Sequence, residues 1–188
     1  MADGLERIKA RIKQHQYGSR KLSFTVAAQE RSSWCWAAVA TSVATFLNGT
    51  AISQQALVSQ AFGVDCSGAK GGNSICNKAW HLVEAFRLLD CQVITRSCSP
   101  QLLLVKHEVD GGRPLCAQIA WNSGGAHLAT IVGYSIAKDG TEYFHVSDPW
   151  YGQKDLPVAE FTQNYESGGT WTHTFRLIQA VNEARTGQ

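Results

Sequence analysis

Trp34-Cys35-Trp36-Ala37-Ala38-Val39-Ala40-Thr41-Ser42-Val43-Ala44-Thr45-Phe46-Leu47, closed by Asn48-Gly49, decides the fold. Val39, Val43, Phe46 and Leu47 fall at i, i+4, i+7 and i+8, so the run predicts a helix with one stripe against a core. Gly49 supplies a left-handed stop. Cys35 then lies at the helix N-terminus, where unpaired N–H groups and the macrodipole stabilise an anion. The thiolate is the reactive form of cysteine. A buried structural thiol is the ordinary alternative, and residues elsewhere in the chain decide against it.

Those residues are Gln29, His127 and Asp148. Helical signals fill the first half of the chain. Ser53 caps a helix through Phe62, with Leu57, Val58, Ala61 and Phe62 facing inward. Asn77 caps a helix from Lys78 to Asp90 with Leu82, Val83, Phe86 and Leu89 buried, and Ser99-Pro100 starts another that runs to Asp110. The second half changes to strand period, with strands expected at 114–121, 127–136, 142–147 and 171–178 and a short helix at 158–165. Helices followed by an antiparallel sheet make an α+β chain of two lobes: helical at about 30–110, sheet at about 113–180, with the site in the cleft between them. Residues 1–22 form a basic amphipathic segment ahead of the 23–180 domain, and 181–188 a tail.

The hairpin through Lys138-Asp139-Gly140 allows a geometric argument. A two-residue turn near Lys138-Asp139 sets His127 opposite residue 150 and Asp148 opposite residue 129. The two side chains are then diagonal neighbours on one face. An aspartate so placed orients an imidazole and stabilises its charged form. Cysteine nucleophile, histidine base and acidic orienter are the parts of covalent acyl transfer. Gln29, with the Cys35 backbone N–H, is positioned to donate to an oxyanion, and one such donor is worth roughly 2.7–4 kcal/mol. His145 is the rival base, but three residues before Asp148 it projects to the opposite face. Trp34, Trp36 and Trp150 are expected to line the substrate cleft.

With these residues in view, the chain resembles a papain-like cysteine protease from about Gln29 to Phe175. Gln29, Cys35-Trp36, His127 and Asp148-Pro149-Trp150 match that family's oxyanion glutamine, nucleophile, base and orienting residue in order. The Trp-Cys-Trp-Ala-Ala opening, the Gly-Gly-Ala-His turn and the Asp-Pro-Trp-x-Gly run look most like small bacterial effector proteases, the avirulence-protease branch. Plant and animal papains carry asparagine at the orienting position, and here it is aspartate. The peptidase domains of bacteriocin exporters, which cut after Gly-Gly, are similar more loosely. The resemblance implies a papain-like two-lobe fold, a protein substrate and no cofactor. An active protease with no visible pro-segment or secretion signal would threaten its producer, so delivery into a host or rival cell's cytoplasm is expected, with an inhibitory immunity protein covering the cleft if the recipients are sibling bacteria. A deamidase or transglutaminase using the same triad, and a non-catalytic interaction module, are the competing readings.

Composition narrows the remainder. Hydrophobic content of 44% and charged content of 17% describe an ordinary globular chain. A net charge of +2, with the excess held in residues 1–21, gives no nucleic-acid signature. The longest apolar run is too short for a membrane helix. Leu5, Ile8 and Ile12 mark one face of a helix and not a signal peptide's apolar core, so export needs another device or a longer chain. No Cys-x-x-Cys or His-x-x-His spacing suggests a metal. Of six cysteines, Cys66 and Cys76, flanking a glycine-rich loop, are the most plausible disulfide, with free thiols as the default expectation.

Overall fold

Helix α1 runs from Cys35 to Asn48, and Gly49 closes it in the left-handed region at φ 71°, returning its N–H to the Thr45 carbonyl. Small residues (Ala37, Ala38, Ala40, Ala44) let neighbours approach from several sides, so the helix is buried over most of its circumference, not along one stripe. Val39 and Val43 are fully buried, whereas Phe46 is 37% exposed and rests on Phe24 at 4.8 Å between ring centroids. The structure, a computed structural model, describes residues 18–49, 51–68, 75–98 and 101–178. The amphipathic face at Leu5, Ile8 and Ile12, and the tail at 181–188, lie outside them.

Helix α2, Gln54–Phe62, starts where Ser53 accepts from the Ala56 N–H and ends at Gly63. Helix α3 is shorter than expected, Leu82–Leu88. The reason lies in the preceding segment. The Cys76 carbonyl accepts from the Trp34 indole at 2.7 Å and the Lys78 carbonyl from the Trp36 indole at 3.0 Å, so this backbone is held outside a helical ladder. Asn77 is no helix cap; its amide oxygen accepts from the Ser33 N–H. Cys66 and Cys76 form a disulfide, against the expectation of free thiols. The bond ties the end of α2 to the strand of chain that the two tryptophans grip.

Strand β2, Gln92–Arg96, follows within the stretch expected to be all helix. Helix α4, Leu102–Asp110, begins after Gln101; the expected start at Ser99-Pro100 lies outside the described residues. Strands β3 (Leu115–Trp121), β4 (Ala126–Ile136), β5 (Glu142–Asp148) and β6 (Gly152–Pro157), helix α5 (Val158–Gln163) and strand β7 (Gly169–Ile178) complete the chain. The antiparallel sheet has the order β2-β7-β3-β4-β5-β6. A seventh strand, β1 at Ser19–Lys21, pairs with Gly133–Ser135 of β4, beyond the point where β3 begins. A Cβ at Gly133 would meet the Arg20 carbonyl at 2.5 Å, so only glycine lets β1 lie there. Residues 19–21 thus belong to the sheet. One apolar core joins α1, α2, α3 and the sheet. Glu108 of α4, 1% exposed, is clamped by Arg113 at 2.7 Å and Arg176 at 2.5 Å, which fastens that helix to β7.

Candidate active site

The hairpin sets two of the expected residues side by side. Near its turn β4 and β5 pair as Ile136↔Glu142, but past a bulge at Val132 the pairing becomes Thr130↔Ser147. The single-residue bulge shifts the register by one. One further step puts Asp148, the last residue of β5, beside Ala129. Asp148 and His127 then share a face, with His127 Nε2 2.8 Å from Asp148 Oδ2. Both are nearly buried, at 7% and 3% exposed.

Asp148 is saturated with donors. Oδ1 accepts the backbone N–H groups of Trp150 at 2.7 Å and Tyr151 at 2.8 Å, made available by the turn at Pro149. Oδ2 accepts from His127 and from the Tyr165 hydroxyl at 2.6 Å. Burial pushes this carboxyl up, but the His127 bond and charge, the Tyr165 hydroxyl and the Tyr151 amide outweigh it and hold it below the usual carboxylate range. Burial also works against a charged imidazole at His127. The Asp148 carboxylate and the Cys35 thiol beside the ring prevail, raising His127 to about 9. Trp121 stacks on His127 with 27° between ring planes and centroids 6.0 Å apart.

Cys35 opens α1 across a concavity of about 350 Å³, whose walls include Gln29, Ser33, Ala79, Trp121, His127 and Trp150. The first helical bond of α1 runs from Ala38 N to the Trp34 carbonyl, so the amides of Cys35, Trp36 and Ala37 precede the ladder. A larger hollow, of about 640 Å³ and lined by Arg96, Cys98 and His107, lies elsewhere. It is the smaller one that brings a cysteine at a helix start to a histidine bonded to a buried carboxylate.

Two of the residues expected in the cleft lie elsewhere. Trp34 and Trp36 do not face the cleft: they are 0% and 1% exposed, and their indoles are spent on the 76–78 backbone. Trp150, at 58% exposed, does line it. Gln29 sits in the cavity wall, yet its Nε2 donates to the Arg31 and Ser32 carbonyls at 2.8 and 2.9 Å, and its Oε1 is buried without a partner among the described residues. His145 is held by Asp155 on β6, with Nδ1 2.5 Å from Oδ1, on the face away from Asp148. Trp121, Tyr151 and Tyr165 were not anticipated. Each is an aromatic in or beside a strand, which reads as ordinary core until the pairing is known.

Comparison with known proteins follows the same lines. The profile of the family described as papain-like cysteine protease AvrRpt2 matches residues 17–166. Among curated proteins none matches in sequence. A double-glycine-motif protease from an AMS/PCAT transporter, solved with its leader peptide, is similar in structure: TM-score 0.50, 16% identity, covering 86% of this chain and 95% of that one. The proform of the ragweed pollen cysteine protease Amb a 11 gives a TM-score of 0.53 at 15% identity, over 86% of this chain and 65% of the other. At these identities the two structures speak to fold alone, and that fold is papain-like.

Proposed function

This chain belongs to the papain-like cysteine protease AvrRpt2 family, and from that premise we propose that it is an endopeptidase effector or toxin that cuts a specific protein of a target cell. It is a thiol hydrolase with a protein substrate. The observation that carries the mechanistic reading is the bond between His127 and the buried, donor-saturated Asp148, facing a cysteine at a helix start. In this reading Cys35 attacks the scissile carbonyl as a thiolate, its proton held by His127 on the ring nitrogen opposite Asp148. His127 then protonates the leaving amine, and the resulting acyl-enzyme is hydrolysed by a water that His127 activates. Asp148 keeps the imidazole oriented and supports its charged state. The Cys35 amide and one Gln29 N–H bind the oxyanion. Gln29 takes this role once a substrate carbonyl displaces it from the Arg31 or Ser32 oxygen.

Trp150 and Tyr151 offer an apolar wall for an extended peptide, and a leader peptide bound to the similarly folded double-glycine protease supports a peptide as the ligand. A concave site of this kind also suits a tight protein inhibitor, and an immunity partner is proposed where the recipients are sibling bacteria. Among the described residues no helix is long and apolar enough to cross a membrane. The test is target-cell extract treated with wild type and with Cys35→Ala, followed by mass spectrometry of new N-termini. Termini specific to the wild type support endopeptidase action. A gain of about one dalton on glutamine without new termini overturns it in favour of a deamidase.

A further inference from the structure

Asp148 Oδ2 has two donors, and the second has no place in the chemistry described so far. Tyr165 follows α5 and is locked there by its own backbone: its N–H donates to the Gly169 carbonyl at 2.8 Å, and the Gly169 N–H returns to its carbonyl at 2.7 Å. Between them Glu166 and Ser167 take the left-handed backbone at φ 47° and 62°. A Cβ at Gly169 would lie 2.4 Å from Ile119 Cγ2, so this turn is pressed against β3. The ring is fully buried, meets Phe161 edge-on at 5.2 Å and stacks on Trp121 at 6.3 Å. Trp121 lies over His127 as well. One indole therefore spans both donors that converge on the carboxylate.

We propose that Tyr165 is a positioning residue of the active site: by donating to the Asp148 oxygen that His127 also uses, it fixes the carboxylate and limits how strongly it draws the imidazole proton. The inference rests on the triad reading above. A buried tyrosine that needed only a hydrogen-bond partner would be served by a backbone carbonyl. Here it is spent on the carboxylate that faces the base, at 2.6 Å. Burial and the adjacent Asp148 charge keep the hydroxyl protonated, so it acts as a donor throughout the working range. A hydrogen bond to a carboxylate withdraws charge from it. Without it, Asp148 holds the His127 proton more tightly and in a less constrained geometry. His127 would be released from its charged form at higher pH, and proton return to a leaving group would slow.

The experiment is iodoacetamide alkylation of the intact protein against pH, with the Cys35 peptide quantified by mass spectrometry so that the other thiols do not contribute. Three proteins are compared: wild type, Tyr165→Phe, and a chain carrying 3-fluorotyrosine at 165. The phenylalanine variant should move the inflection at which His127 deprotonates to higher pH. The fluorinated ring is nearly isosteric and a stronger donor, so it should move the same inflection to lower pH. Opposite shifts are what a packing role cannot produce. Inflections unmoved in both folded proteins overturn the inference. If Tyr165→Phe does not fold, the fluorinated protein decides alone. His127→Ala separates the two levels: a wild-type alkylation profile there overturns the Cys35–His127 pairing itself, whereas a lost inflection there with unmoved Tyr165 variants overturns only the role of Tyr165.

Discussion

The two walls of the cleft are built from different materials. On the Cys35 side the supports are chiefly neutral, with the Arg31 guanidinium lying over the Trp34 ring. Two buried indoles hold the 76–78 backbone, Asn77 ties Ser32 and Ser33, and a disulfide closes the loop behind them. On the His127 side the supports are charge and hydrogen bonds converging on one carboxylate. In the proposed mechanism Cys35 needs a fixed backbone, since its attack depends on its place at the helix start and on His127 opposite. His127, as the proposed base, must change its charge within each turnover, so its supports must respond to protonation. Packing and covalent bonds should therefore control one wall, and pH the other.

The largest effect should come from the reacting atoms. Cys35→Ala is expected to remove all proteolysis of a target protein and all labelling by epoxide thiol inhibitors with the fold retained, since Cys35 takes no part in the indole grip and meets the carboxylate network only through the His127 ring. Residual turnover above background would end the proposed mechanism. On the opposite wall, His127→Ala should cost about 10³–10⁴ in kcat/KM, and Asp148→Ala less, because a misoriented imidazole retains part of its function. Equal losses in the two would mean that Asp148 does more than orient.

The pH dependence of stability should separate the walls next. His127 is raised in the folded state from 6.5 to about 9. Its charged form therefore stabilises the fold fully below about pH 6.5, and that contribution disappears as pH rises through about 9. Asp148 is lowered, so its contribution is present above the ordinary carboxylate pKa and is lost as pH falls through the depressed folded value. Denaturant titrations of wild type and His127→Gln should differ most near pH 6 and converge above pH 9. A constant gap across that range would assign the loss to packing. The Cys66→Ser/Cys76→Ser pair should behave in the opposite manner, losing about 2–3 kcal/mol at every pH.

The same contrast explains what could be read from the sequence. The His127 end of the hairpin was legible because β-strand period, a short turn and Asp148 at a strand end leave few registers open. The assumed register nevertheless fails at the turn and holds at the site because of the Val132 bulge, which no periodicity announces. Strands β1 and β6, Ser-Arg-Lys and Gly-Gln-Lys-Asp-Leu-Pro, carry no apolar alternation and exist because neighbouring strands offer them partners. Strand β2 was masked by the helical signals on either side. Helix α3 begins late because two indoles remote in sequence claim the carbonyls before it. Tyr165 could not have been found: its role depends on a turn that returns it to an aspartate 17 residues earlier.

A last contrast, ending on the smallest expected effect, sets one tryptophan against another. Trp34, Trp36 and Trp150 were expected together as lining of the cleft. Burial divides them. Trp34→Ala removes a fully buried indole and its bond to the Cys76 carbonyl, so it should cost about 3–5 kcal/mol of stability and loosen the wall that carries Cys35. Trp150 is more than half exposed, and its contribution to Asp148 comes from its backbone N–H, which alanine retains. Trp150→Ala should leave stability within about 0.5 kcal/mol of wild type. What it removes is apolar wall, so the loss should fall on binding: KM for a peptide substrate rises severalfold with kcat nearly unchanged. A fall in kcat with KM retained would instead mean that the indole shields the His127–Asp148 bond from water, and would move Trp150 from the peptide-binding surface into the supports of the base.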